Sequence, residues 1–249
     1  MSADRWFARC NDTLERIRTT QLDAIERAAE LVARTAEAGG GLHFYDTGHC
    51  SREAIHRAGG LCMMKELKFS LTVNSDPAPR RAQQVSERDR ATRDAAEEKL
   101  AALALDRSAL VPGDLLLVSS VSGRSAALVE LVTAAQRMGV TVIAITNVTY
   151  SSEVPSRHSS GKRLFEVADL AIDNCGVVGD AALNVEGIDT GVAPTSGVAF
   201  CYIVWALVSE AVVRMLARGL EPHVYRSINL PDGDEFNRRS EAAYHETGL

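Results

Sequence analysis

Three serines crowd one short segment of this chain, Ser120-Val121-Ser122-Gly123-Arg124-Ser125, and hydroxyls at that spacing around a glycine can cradle an anion. An apolar run, residues 115–119, leads into the segment, and a helix-patterned stretch, residues 126–138, leads out of it. A buried strand feeding a hydroxyl-rich turn at a helix start aims backbone N–H groups and the positive end of the helix dipole at one point, where hydroxyls add donors. Phosphate, alone or on a sugar, is the anion such a cradle suits. The plainer use of the same residues is an ordinary turn, with Ser125 as the N-cap of the helix.

Groups that could move protons stand elsewhere. His49 lies inside a second turn, Asp46-Thr47-Gly48-His49-Cys50-Ser51, and His56 follows seven residues later, on the same face if a helix continues that far. Such a pair could hold a metal, although ligand contact or capping for His49 and packing for His56 are the simpler uses. His158 sits in the basic, hydroxyl-rich loop Ser156-Arg157-His158-Ser159-Ser160-Gly161-Lys162, either as an acid–base group or as a solvated loop residue. Glu66 and Glu186 are the carboxylates to watch, and Glu186 falls in a glycine-rich segment that reads as an active-site loop. Nucleotide chemistry is not written here. The Asp46 turn has a single glycine where a dinucleotide site needs G-x-G-x-x-G, and Gly161-Lys162 is followed by Arg163 rather than by the Ser or Thr of a P-loop.

The elements that must hold these turns alternate between helix and strand. Leu14, Ile17, Gln21, Ile25, Ala28 and Val32 recur at helical spacing, and that long N-terminal helix stops at Gly39-Gly40-Gly41. Its apolar stripe needs cover, from its own sheet or from a second subunit. Residues 42–45 read as a strand, 52–57 as a short helix, 67–73 as a further strand, 74–81 as a surface loop and 88–105 as a weakly apolar helix. Strand 115–119, helix 126–138 with Gly139 as its C-cap, and strand 141–146 form a βαβ unit, so these strands are parallel neighbours. Residues 167–173 add a strand, 174–194 read as loop, 195–218 as a long, mostly buried helix, and the chain turns polar beyond Glu221-Pro222. In an open parallel α/β sheet, ligands bind outside the carboxyl ends of the strands where the strand order reverses, and both candidate turns leave such ends.

Bulk properties narrow the class. In 249 residues, 46% are hydrophobic and the formal net charge is -6, with no dominating cationic cluster, which argues against a life on nucleic acid or on an anionic membrane. The charged N-terminus lacks the apolar core of a signal peptide, and no apolar stretch long enough for a bilayer runs without polar interruption, so a cytoplasmic protein is expected. The five cysteines are scattered without a C-x-x-C pair, so free thiols and no bound metal are expected.

The 120–125 segment has the form S-x-S-G-x-[ST], and in this the chain resembles the sugar isomerase (SIS) domain family, whose phosphosugar-binding turn reads that way. Thr47-Gly48-His49, Arg57-Ala58-Gly59-Gly60, Ser156 to Lys162, Val178-Gly179-Asp180-Ala181, Pro194-Thr195-Ser196 and Gly233-Asp234-Glu235 extend the resemblance to a subgroup of SIS proteins. It implies a single α/β domain with a five-stranded parallel sheet between helices, a three-layer α/β/α arrangement. The expected organisation is an N-terminal helical dimerisation segment (1–40), the phosphosugar-binding domain (41–220) and a polar C-terminal tail (221–249). The resemblance places a phosphate on Ser120, Ser122, Gly123 and Ser125. Asp46 would bring negative charge to the first turn, so Thr47, Gly48 and Ser51 are assigned to sugar hydroxyls, joined by Thr195 and Ser196.

The expected partner is a small sugar phosphate, handled by a homodimer or higher homo-oligomer without cofactor, nucleic acid or membrane. The expected reaction is aldose/ketose isomerisation through an enediol. Glu186 would move the proton, and His49 or His158 would serve the carbonyl oxygen. The alternatives are a phosphosugar sensor without turnover and a lyase or etherase acting on an amino-sugar phosphate.

Overall fold

A computed structural model describes residues 1–74, 76, 78–86 and 89–249, without the side chains of residues 51, 52 and 86. Five parallel strands form the central sheet: β1 (Leu42–Asp46), β2 (Met64–Glu66), β3 (Leu115–Ser119), β4 (Thr141–Thr146) and β5 (Leu170–Asp173), in the order β2-β1-β3-β4-β5. Parallel strands buried on both faces read as unbroken apolar runs, and the two cores show why. In β3, Leu115 and Leu117 face one core while Leu116 and Val118 face the other; in β4, Ile143 and Ile145 oppose Val142 and Ala144 in the same way.

The N-terminal helical segment bends at Gln21 into α1 (Ser2–Thr20) and α2 (Leu22–Glu37). The stripe Ile25, Ala28, Ala29, Val32 and Ala33 on α2 is covered from within the chain, where it joins Phe200, Ile203, Val204 and Leu207 of a later helix in one core. After β1 comes α3 (Ser51–Ala54), one turn of helix instead of the expected 52–57, because the chain passes into the left-handed region at His56 (φ 55). His49 and His56 therefore do not share a helix face.

The second strand is displaced from the expected position. Residues 67–73 lie outside the sheet, Leu71 and Val73 are exposed, and the edge strand is β2, whose three residues are too few to show a period. Of the expected loop 74–81, positions 75 and 77 lie outside the described residues, and its end enters α4 (Pro79–Ser86). Helix α5 (Arg90–Asp106) starts after an Asp89 cap whose carboxylate accepts from the Thr92 N–H, while the expected starting residue 88 lies outside the described residues. Helix α6 (Ala126–Arg137) follows β3, and α7 (Val148–Glu153) and α8 (Leu164–Val167) flank the Ser156 to Lys162 loop.

The stretch 174–194 carries a small antiparallel hairpin, β6 (Ala181–Leu183) with β7 (Val192–Pro194), where loop was expected. Helix α9 (Ser196–Ala217) is long and apolar enough to cross a bilayer by length and composition. Its face from Ala199 to Met215 is packed in the core against α2. The polar tail folds back: Cys62 and Gly59 donate to the carbonyls of His223 and Tyr225, and α10 (Gly233–Thr247) is tied to β2 by Glu241 and Lys65 at 3.1 Å.

Candidate active site

The chain runs from β1 outward to β2 and then returns past β1 to β3, so the strand order reverses between β1 and β3. That reversal opens a crevice at the carboxyl ends of the two strands. Asp46 and Ser119 are register partners there, and the two expected turns leave from them side by side.

The first turn is closed by its own aspartate. Asp46 Oδ2 accepts from the N–H groups of Gly48 (3.1 Å), His49 (2.8 Å) and Cys50 (2.9 Å), while Asp46 Oδ1 accepts from the Ser119 hydroxyl. Thr47 donates from both its N–H and its hydroxyl to the Ser119 carbonyl. A carboxylate that uses three amides leaves none of them for an anion, so this turn is a brace between β1 and β3. Thr47 and Gly48 lie exposed at its lip, and Ser51 opens α3 with its side chain outside the described ones.

The second turn is built the opposite way. Three of its carbonyls are spent: Val121 accepts from the Asn147 N–H and the Thr146 hydroxyl, Gly123 from the Leu164 N–H, and Arg124 from the Arg157 N–H. Among the described residues, no hydrogen bond uses the N–H groups of Ser122, Gly123, Arg124 or Ser125, or the hydroxyls of Ser120, Ser122 or Ser125. Ser125 stands at the N-cap of α6, yet its side chain makes no cap bond, so the ordinary-cap reading does not describe its hydroxyl. Gly123 adopts φ +56, and a Cβ there would come within 2.8 Å of Leu164 Cβ, which is why the turn needs glycine. The result is a concentration of unspent donors at the start of a twelve-residue helix.

The start of α9 supplies the third wall. Asp180, held at φ 67, accepts from the Ser196 N–H at 3.1 Å and from the Ser196 hydroxyl at 2.7 Å. The Ser196 oxygen lies 3.4 Å from His49 Nδ1. Because the single hydroxyl proton points to Asp180, His49 Nδ1 is the donor to Ser196, and the lone pair falls on His49 Nε2. Phe200 packs on the imidazole with ring centroids 5.1 Å apart. Thr195 Oγ1 beside it is buried and has no hydrogen-bond partner among the described residues. Burial, with Asp46 next to it, pushes the Cys50 thiol well up, so Cys50 is not a thiolate nucleophile.

The other expected groups stand apart. His158 is almost fully buried: its Nδ1 accepts from the Ser160 N–H at 3.1 Å, so its proton is on Nε2, which donates to Glu130 at 3.0 Å. Both nitrogens are occupied. Glu186 lies exposed in the loop between β6 and β7, and Glu66 is exposed at the end of the edge strand. His56 Nδ1 pairs with the Tyr225 hydroxyl at 2.8 Å, remote in bonding from His49. Sequence reasoning had no role for Asp180; an aspartate sixteen residues before a helix-starting serine carries no local signal of their contact.

The SIS domain family matches this chain over residues 5–147. A UPF0309 protein of Streptomyces griseus is 35% identical over 247 residues, taking in 98% of this chain and 95% of that protein. A UPF0309 protein of Shouchella clausii is 36% identical over 220 residues, 86% of this chain and 85% of that one. Among solved structures, a phosphoheptose isomerase from Francisella tularensis superposes with a TM-score of 0.51 at 19% identity, over 85% of this chain and 98% of that one, which is a likeness of fold.

Proposed function

This chain belongs to the SIS domain family, and on that footing we propose that it binds a sugar phosphate across the β1–β3 crevice and interconverts its aldose and ketose forms. The phosphate sits on Ser120, Ser122 and Ser125 and on the N–H groups between them. The sugar extends toward Thr47, Gly48, Thr195 and Ser196. One observation carries the reading: among the described residues, the hydroxyls of Ser120, Ser122 and Ser125 and the amides of Ser122 to Ser125 are unspent at the point where the strand order reverses.

His49 is the proton carrier in this reading. For an aldose, Nε2 takes the proton from C2 and leaves an enediolate on the C1 oxygen; the proton of the C2 hydroxyl passes across the cis-enediol to the C1 oxygen, and the imidazolium returns its proton to C1 as the C2 oxygen becomes the carbonyl. Ser196, fixed by Asp180, holds the ring in the tautomer that leaves Nε2 free. Glu186 has no part in these steps. The protein works as a homodimer or larger homo-oligomer, whose contact surface includes the exposed Val198, Tyr202, Val213 and Leu216 of α9.

The test is exchange of the C2 proton of sugar phosphates in deuterated water, followed by NMR. Exchange is expected for at least one sugar phosphate of a panel that spans chain lengths, and absence of both binding and exchange refutes the reading. Binding without exchange selects the sensor, a second reading favoured by one feature: both carboxylates at the crevice, Asp46 and Asp180, are engaged by protein donors.

A further inference from the structure

The Arg124 and Ser125 amides face away from residues 155–164 because the carbonyls of the same peptide units are held by that segment. A trans peptide unit points its N–H and its C=O in opposite directions. The Gly123 carbonyl shares a unit with the Arg124 N–H and accepts from the Leu164 N–H at 2.7 Å. The Arg124 carbonyl shares a unit with the Ser125 N–H and accepts from the Arg157 N–H at 2.9 Å. Both donors come from one segment, residues 155–164, in which only Leu164 belongs to a helix or strand.

Side chains pin that segment to the helices on either side of it. His158 Nε2 donates to Glu130 on α6, while its Nδ1 accepts from Ser160 within the segment. The Arg157 guanidinium binds the Asp94 carboxylate of α5, with Nε at 3.2 Å, and the Ser159 N–H donates to Glu98 of the same helix at 2.7 Å. Since His158 carries no free lone pair and no uncommitted proton, its chemistry is spent on this attachment.

We infer that His158 and Arg157 are positioning residues for the anion cradle, holding residues 155–164 so that the Arg124 and Ser125 amides aim at the phosphate. The inference rests on the phosphate reading of the turn proposed above. It requires no proton transfer by His158 and no direct contact of either side chain with the ligand.

The experiment is calorimetric titration of the full chain with inorganic phosphate, comparing the parent with His158→Leu, His158→Gln and Arg157→Gln, alongside melting temperatures without ligand. One N–H turned out of line with a charged ligand costs about tenfold in affinity, the expected loss in His158→Leu and Arg157→Gln. His158→Gln keeps a donor toward Glu130 and regains most of that loss. With a sugar phosphate that turns over, KM rises in the same proportion and kcat stays near the parent value, since the group lost acts on binding alone. A parent that takes up no phosphate overturns the cradle itself. A parent that binds, with variants that melt lower yet bind phosphate as tightly, overturns the positioning role and leaves the cradle standing. If His158→Leu does not fold, Arg157→Gln, at a partly exposed side chain, decides alone.

Discussion

Replacing Gly123 by alanine tests the cradle with one carbon. At φ +56 an L residue is disfavoured by about 1–2 kcal/mol relative to glycine. The new Cβ would also stand 2.8 Å from Leu164 Cβ, 3.1 Å from Thr146 Oγ1 and 3.4 Å from Ser151 Oγ. Leu164 is fully buried, and its own N–H donates to the Gly123 carbonyl, so it cannot retreat without pulling the turn. Overpacking of this kind adds about 1–3 kcal/mol. A combined destabilisation of about 3 kcal/mol lowers the melting temperature of a chain this size by about 6–12 °C. Thermal melts followed by circular dichroism read that term, and phosphate titration of the folded variant reads the second, a loss of affinity as the amides swing away. A variant that melts within about 2 °C of the parent and binds phosphate equally well refutes the claim that packing against Leu164 shapes the turn.

Ser125→Ala removes a hydroxyl that makes no cap bond, so its unfolding free energy stays within about 0.5 kcal/mol of the parent while phosphate affinity falls. Asn147→Ala, which removes the side chain accepting from the Tyr150 N–H at the start of α7, does the reverse in stability and costs about 1 kcal/mol. In steady-state turnover, His49→Gln lowers kcat by about a hundredfold or more, and unchanged kcat would remove His49 from the chemistry. Glu186→Gln, at an exposed loop, leaves both melting temperature and kcat at parent values; a large drop in kcat would restore Glu186 as the base. Stability also has a defined acid limb. The Arg157 hydrogen bond holds Asp94 below its ordinary 3.8; burial pushes Glu130 up, but bonds from Arg137 and His158 outweigh it and hold it below 4.5. Carboxyls lowered on folding stabilise the protein above their unfolded pKa and lose that contribution as pH falls through the folded one. Melting temperature is therefore expected to hold from neutrality to about pH 5 and then fall, less steeply in Asp94→Asn, and a rise below about pH 4 would contradict the sign.

Local pattern carried much of this fold. Strands β3 and β4 stand at their expected bounds because strands buried on both faces must be apolar throughout, and α6 differs from expectation by one residue at its end. The serine turn was legible for the same reason, since its residues are adjacent in the chain and its chemistry follows from strand, turn and helix in succession. Features that failed to show had no period or were made by distant residues. Edge strand β2 is three residues long, the β6–β7 hairpin sits among glycines, and α10 is a polar helix whose hold on Lys65 spans most of the chain.

The site divides along the same line. Sequence alone determined that a strand delivers three serines and a glycine to the start of a helix, and that His49 lies in a neighbouring turn. Tertiary structure decided what those groups are free to do. It spent the Gly48, His49 and Cys50 amides on Asp46, left the amides of Ser122 to Ser125 unspent among the described residues, bound both nitrogens of His158, and brought Asp180 through Ser196 to His49. The physical reason is that residue type sets which donors and acceptors exist, whereas availability depends on partners that only the folded chain brings within hydrogen-bond reach.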